Sequence, residues 1–222
     1  MRGDLRRLYR KLLGRYGSQG WWPARSAFEM TVGAILTQNT AWLNVERAIG
    51  GLRRAGYLSP ERMSRARAAT LARLVRPAGY FNQKAARLRG WSKFLVDEWG
   101  SLARAKRRRA GELRSELLAL KGIGPETADS ILCYALGKPV FVVDAYTRRI
   151  LSRLGWISGD EPYDDLRAWC ESRLPAESGD LGEMHALLVR HAKEHCRKRP
   201  VCDGCVAARS CECAGAVVSE GG

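Results

Sequence analysis

Leu120-Lys121-Gly122-Ile123-Gly124-Pro125-Glu126-Thr127-Ala128-Asp129, running into an apolar segment that ends at Leu136, is the stretch that decides how this chain folds. Two glycines flank one apolar residue between two helical patterns. Such a turn aims backbone N–H groups outward at the start of the second helix, where the macrodipole also favours an anion. A nucleic-acid phosphate fits there without any reading of bases. Gly-x-Gly alone is weak; the longer string, followed by an apolar helix, is far more specific. Outward from it, apolar residues recur at three- and four-residue intervals over 5–13, 28–36, 42–52, 68–75, 84–99, 111–120, 125–136, 145–154, 163–174 and 181–191. Ten short helices are predicted. Only 139–143 alternates with period two, so the chain reads as all-α.

The 222 residues carry 38 Lys and Arg against 23 Asp and Glu, a formal charge of +15. With 45% apolar and 27% charged residues this is a globular composition, which excludes a disordered or low-complexity chain. No apolar run approaches the ~18 residues of a membrane span. The basic N-terminus has helical spacing and no apolar core segment of a signal peptide, which argues against secretion. Five of the seven cysteines fall between Cys196 and Cys213, a clustering that suits a metal site in a reducing cytoplasm better than a disulfide scaffold. The charge points to a polyanionic partner, nucleic acid before a membrane surface. Lys106 to Arg109 is a four-residue basic run, either a solvated turn or a nucleic-acid contact. A boundary falls near Gly137, and the cysteine region beyond it has too little apolar content to fold without a metal.

Asp144 follows two valines and opens a helix in Val142-Val143-Asp144-Ala145-Tyr146-Thr147. Taken alone it is an N-cap or a buried catalytic acid. Glu126, in the first turn after the glycines, is a residue favoured by the helix dipole or a second carboxylate of a site. Cys196-x5-Cys202-x2-Cys205-x5-Cys211 offers four thiolates, a donor set that tetrahedral zinc also accepts. Cys213 could replace Cys211 as the fourth.

The hairpin string and the Val-Asp after it resemble the helix-hairpin-helix DNA glycosylases of the endonuclease III superfamily, over about residues 21–211. Trp21-Trp22-Pro23, Leu36-Thr37-Gln38-Asn39-Thr40-Ala41-Trp42 and Pro77-Ala78-Gly79-Tyr80-Phe81-Asn82-Gln83-Lys84-Ala85 are most similar to its 3-methyladenine branch. The resemblance implies an all-α, two-domain fold: a six-helix barrel with the hairpin at 22–137, and an iron–sulfur domain made of 1–21 plus 138–222. It implies that Asp144 stabilises the cationic sugar formed as the glycosidic bond breaks and helps activate water. Trp21, Trp22 and Trp42 would line a pocket for a flipped, electron-poor alkylated purine. Gln38 and Tyr80 would enter the duplex, and Gly122, Ile123 and Gly124 would grip its backbone. The lysine with which bifunctional members form a Schiff base is replaced here by Glu126, so a monofunctional enzyme with weak or absent lyase activity is implied. Cys196, Cys202, Cys205 and Cys211 would ligate a [4Fe–4S] cluster, zinc being the alternative; the first loop is one residue shorter than the family's six. The expected partner is double-stranded DNA containing damaged bases, bound by a cytoplasmic, nucleoid-associated monomer with no membrane attachment. Two other readings stay open: an endonuclease III-like glycosylase for mismatched, deaminated or oxidised bases, and a catalytically silent damage-binding module. An adenine glycosylase is disfavoured by Gly33, where that branch carries a catalytic Glu.

Overall fold

The computed structural model describes residues 1, 3–174 and 178–213. Among them there is no β-strand and no helix long and apolar enough to cross a membrane. The chain forms two compact units, Trp22–Lys138 and Met1–Trp21 with Pro139–Gly222.

The unit Trp22–Lys138 contains α2 (Ala27–Leu36), α3 (Trp42–Arg54), α4 (Pro60–Ser64), α5 (Ala68–Leu74), α6 (Phe81–Phe94), α7 (Leu102–Ala105), α8 (Ala110–Leu118) and α9 (Pro125–Ser130). Every residue of α2 from Phe28 to Leu36 is buried, so this helix forms the centre of the unit rather than one side of it. Its start is fixed by Ser26, whose side chain accepts from Glu29 N–H, while the buried Glu29 carboxylate pairs with Arg53 at 2.7 Å. Val45, Ile49 and Leu52 of α3, Leu88 and Trp91 of α6, and Leu113 and Leu117 of α8 complete the core. Burying each such side chain contributes about 1.5–3 kcal/mol.

Helices α4 and α7 are additions to the ten expected from periodicity. Ser59-Pro60 reads as punctuation in the sequence, but Ser59 is an N-cap accepting from Arg62 N–H and Pro60 takes the first helical position, where its missing N–H costs nothing. Four residues in α7 are too few to show a period. The predicted helices 84–99 and 125–136 do not stay α throughout: both finish in π turns, Leu95–Trp99 and Ile131–Ala135.

The hairpin α8–α9 is locked internally. Arg114 on α8 grips Asp129 on α9 with Nε to Oδ1 at 2.7 Å and Nη2 to Oδ2 at 3.2 Å, and Asp129 is fully buried. Gly122 has φ +86°, and a Cβ there would lie 2.3 Å from Arg87 Nε, so only glycine fits both the backbone and the space. The basic run 106–109 proves partly structural: Arg108 is held by Glu116 at 2.5 Å, and Lys138 Nζ donates to the carbonyls of Lys106 and Arg108.

The other unit contains α1 (Leu5–Tyr16), α10 (Ala145–Arg153), α11 (Tyr163–Glu171) and α12 (Ser178–Glu194). Leu5, Leu8 and Leu12 form one buried stripe of α1, which packs with Ile150, Leu151, Leu166, Trp169, Met184, Leu187 and Leu188. The segment 139–143, read as a candidate strand, forms no strand. Phe141 N–H is held instead by Glu171 at 3.0 Å and Val143 N–H by the Tyr163 hydroxyl at 3.3 Å.

Candidate active site and nucleic-acid interface

Asp144 caps α10. Its Oδ1 accepts from Thr147 N–H at 2.7 Å, and Oδ2 stands 3.5 Å from Nε2 of His185, a buried residue of α12. Burial pushes the Asp144 carboxyl up, but the His185 contact and the Thr147 bonds outweigh it and hold the pKa below the ordinary aspartate value. The N-cap reading of Asp144 is realised by one oxygen, which serves the helix, while the other faces an imidazole. His185 sits on the predicted apolar helix 181–191, where a lone histidine looks like packing; nothing in its own neighbourhood of sequence links it to residue 144.

Trp22 and Trp42 come together with ring centroids 5.4 Å apart in an edge-to-face arrangement, and Tyr134 joins them at 5.5 Å from Trp22. All three rings are half-buried. Trp42 Nε1 donates to Glu46 at 2.8 Å. Gly33 makes room for the group, since a Cβ there would be 3.3 Å from Trp22 Nε1. Trp21 belongs to the other unit, with Lys193 Nζ 5.7 Å from its ring centroid. Tyr134 was not foreseen, because a tyrosine inside an apolar helical run carries no signal of its own.

At the hairpin, α9 starts on Gly124, which makes no side-chain cap bond; its φ is −92° and a Cβ would meet nothing within 4 Å. Glu126 is exposed on the first turn. Ile123 is buried, so its side chain anchors the turn and any contact with DNA falls to its main chain. Gln38 is tied to this turn: its Nε2 donates to Gly122 O at 3.1 Å and Thr127 Oγ1 at 3.0 Å, while Arg87 donates to its Oε1. Tyr80 is 66% exposed at φ +44°, and Asn39, beside Gln38, has φ +51°. These two are the non-glycine residues of positive φ among those described, a conformation that costs about 1–3 kcal/mol for a side-chain-bearing residue.

Cys196, Cys202, Cys205, Cys211 and Cys213 line one cavity with Arg153, His191 and His195. Helix α10 binds the first cysteine loop: Arg149 Nε donates to Cys196 O at 2.7 Å, and Arg153 donates to Arg197 O at 2.6 Å and Lys198 O at 2.9 Å. Arg153 Nη1 also reaches Cys196 Sγ at 3.3 Å. Burial and then the neighbouring thiols Cys211, Cys213 and Cys196 push the Cys202 thiol up, which is the behaviour of sulfurs gathered at one place. Among the described residues, no three His, Cys, Asp or Glu side chains already converge as the shell of a single ion. The donor set, thiolates around one cavity with arginines on the sulfur and its carbonyls, fits a metal–thiolate centre. Both Cys211 and Cys213 remain in position to be its fourth ligand.

The all-helical fold with its glycine hairpin matches that of the helix-hairpin-helix DNA glycosylases. The profile of the HhH-GPD superfamily of base excision DNA repair proteins matches residues 32–176, and the chain belongs to that family. It is 46% identical over 201 residues to a candidate DNA repair glycosylase, MJ1434, of Methanocaldococcus jannaschii, covering 90% of this chain and 91% of the relative. It is 30% identical over 190 residues to endonuclease III of Sulfolobus acidocaldarius, covering 85% and 82%. Among solved structures, the 3-methyladenine DNA glycosylase MagIII of Helicobacter pylori bound to 1,N6-ethenoadenine superposes with TM-score 0.77 at 29% identity, over 86% of this chain and 98% of that one. A non-covalent endonuclease III–DNA complex superposes with TM-score 0.83 at 20% identity, over 99% and 100%, a likeness of fold.

Proposed function

We propose that this protein is a monofunctional DNA glycosylase that releases alkylated purines, 3-methyladenine among them, from duplex DNA by hydrolysis. The observation that carries the reading is Asp144, a carboxylate with only 12% of its side chain exposed, whose pKa is held down by His185 and Thr147. As the bond from C1′ to the base nitrogen breaks, its electron pair leaves with the base and positive charge grows on the sugar. A fixed carboxylate in a water-poor setting stabilises that charge without reorganising. Water then bonds to C1′, and the proton it sheds passes to Asp144 and on to solvent. A cationic methylated purine departs as a neutral base and needs little acid assistance.

The Trp22–Trp42–Tyr134 group supplies aromatic faces for an electron-poor base. Gly33 supports a stacking pocket over an acid-catalysed one, because a side chain there would crowd Trp22. The ligand of the Helicobacter structure, 1,N6-ethenoadenine, is an alkylated adenine and agrees with this substrate class. Gly122, Ile123 and Gly124 hold a phosphate through backbone N–H groups; Gln38 and Tyr80 enter the stack. Glu126 stands where a lyase would need an amine, and a carboxylate forms no imine; its place here is to orient water or the cationic base. Cys196, Cys202, Cys205 and Cys211 would hold a [4Fe–4S] cluster, whose metal–thiolate bonds supply folding energy to a segment poor in apolar residues. The protein acts on DNA as a monomer in the cytoplasm.

The test is release of free base from duplexes carrying alkylated, deaminated and oxidised lesions. Release of 3-methyladenine with no covalent complex trapped by borohydride is the expected result. Cleavage confined to mismatched or deaminated pyrimidines would favour the second reading, an endonuclease III-like specificity, which the Sulfolobus relative supports. No release from any duplex, with binding retained, would sink both.

A further inference from the structure

Lys84 is 1% exposed, and among the described residues no carboxylate pairs with it. Its Nζ donates to two carbonyls, Leu36 O at 2.9 Å and Ala78 O at 2.7 Å. A buried ammonium that meets only neutral acceptors is costly to desolvate; a methionine, one atom shorter, would remove the charge and leave both carbonyls without this donor. Burial and the nearby Arg87 charge both push its pKa down. Its two acceptors sit at informative places. Leu36 is the last residue of α2, immediately before the loop Thr37 to Thr40 that carries Gln38; its carbonyl is one of those a helix end leaves unpaired. Ala78 ends the short turn Arg76–Ala78, immediately before Gly79 (φ +68°) and Tyr80 (φ +44°). The two positive-φ non-glycine residues, Asn39 and Tyr80, thus each follow a carbonyl held by the same ammonium within three residues. One turn further along α6, Arg87 donates to the Gln38 side chain itself.

We propose that Lys84 is a positioning residue: its buried ammonium ties the Gln38 loop to the Tyr80 turn, so that the two strained backbones present their side chains to the duplex as one unit. The inference rests on the reading of Gln38 and Tyr80 as the residues that enter the DNA stack. Lys84 touches no substrate and acts only through the carbonyls it joins.

The experiment uses the full-length protein and a duplex with 2-aminopurine beside a synthetic abasic site, so that opening of the stack is read without any base release. Gln38→Ala, Tyr80→Ala and the double variant are compared in wild-type and Lys84→Met backgrounds. In the wild-type background the two losses of fluorescence response should depart from additivity by at least about threefold, the mark of residues acting together. In the Lys84→Met background they should become additive, while affinity for undamaged duplex stays within about twofold, since the hairpin grip is untouched. Equal coupling in both backgrounds, or parallel loss of undamaged-duplex affinity, overturns the proposal. If neither single variant changes the response, it is the assignment of Gln38 and Tyr80 that fails. Should Lys84→Met not fold, Lys84→Gln keeps one donor and should show intermediate coupling. Amide exchange on the wild-type protein gives a further check: protection at 37–40 and 79–81 must rise at the same DNA concentration, and separate midpoints overturn the tie.

Discussion

Two helix starts in this molecule deal with negative charge in opposite ways. Helix α10 brings its own anion: Asp144 occupies the N-cap, and its Oδ1 consumes the Thr147 N–H. Helix α9 begins on Gly124, which has no side chain to cap it, and Pro125 at its first position has no N–H; in the function proposed above, the N–H groups at this turn meet an anion from outside. The backbone device is the same, the positive end of a helix. One residue type decides whether it stabilises a carboxylate of the protein or is left without a side-chain cap. Gly124 is instructive because neither φ nor packing demands a glycine there, whereas Gly122 is required by both. What Gly124 preserves is access.

The sharpest way to break the contrast is Asp144→Asn. Asparagine caps a helix as well as aspartate does, so stability should hold while base release in single turnover falls on the order of 10²–10³-fold, the size of a lost preorganised charge. An unchanged rate would reduce Asp144 to a cap. Next in size, Asp129→Ala leaves Arg114 without its buried partner and should destabilise the protein by about 3 kcal/mol in urea unfolding, with the hairpin loosened. Gly124→Val should leave unfolding unchanged, since the Cβ position is open, yet weaken duplex binding about tenfold by blocking close approach of a phosphate; anisotropy titrations at fixed salt would show it, and unchanged affinity would remove the hairpin from the interface. The smallest effect is on pH. Asp144 must be ionised to work, and its pKa is held below the ordinary aspartate value, so kcat/KM should stay flat as pH falls until below the usual carboxylate range. His185→Ala removes a contact that lowers this pKa and leaves burial, which raises it; the acid limb should therefore move to higher pH.

The all-α class and the family were legible because each leaves a local trace: apolar residues at helical spacing, and a glycine hairpin with fixed neighbours. Helices α4 and α7 were not, since five and four residues carry no period, and Ser59-Pro60 signals a stop and a start with the same letters. The π turns after α6 and α9 were hidden because a π turn uses the same apolar residues as the α-helix it interrupts. The basic run 106–109 reads as a solvated turn or a nucleic-acid contact, yet Arg108 is bound to Glu116, a partner that nothing in the run itself announces.

By itself the sequence determined ten of the helices found among the described residues, the hairpin, the aspartate at the head of a helix and the gathering of cysteines near the C-terminus, because spacing along the chain encodes all of these. Only the tertiary structure decided what stands around them. His185 faces Asp144 from 41 positions further along, Tyr134 joins Trp22 and Trp42 from three separate segments, and Lys84 reaches two carbonyls that lie 42 positions apart. A carboxylate's charge state, a pocket's aromatic lining and a loop's strain are properties of surroundings, and those surroundings come from residues far apart in the chain, which packing alone brings within contact distance.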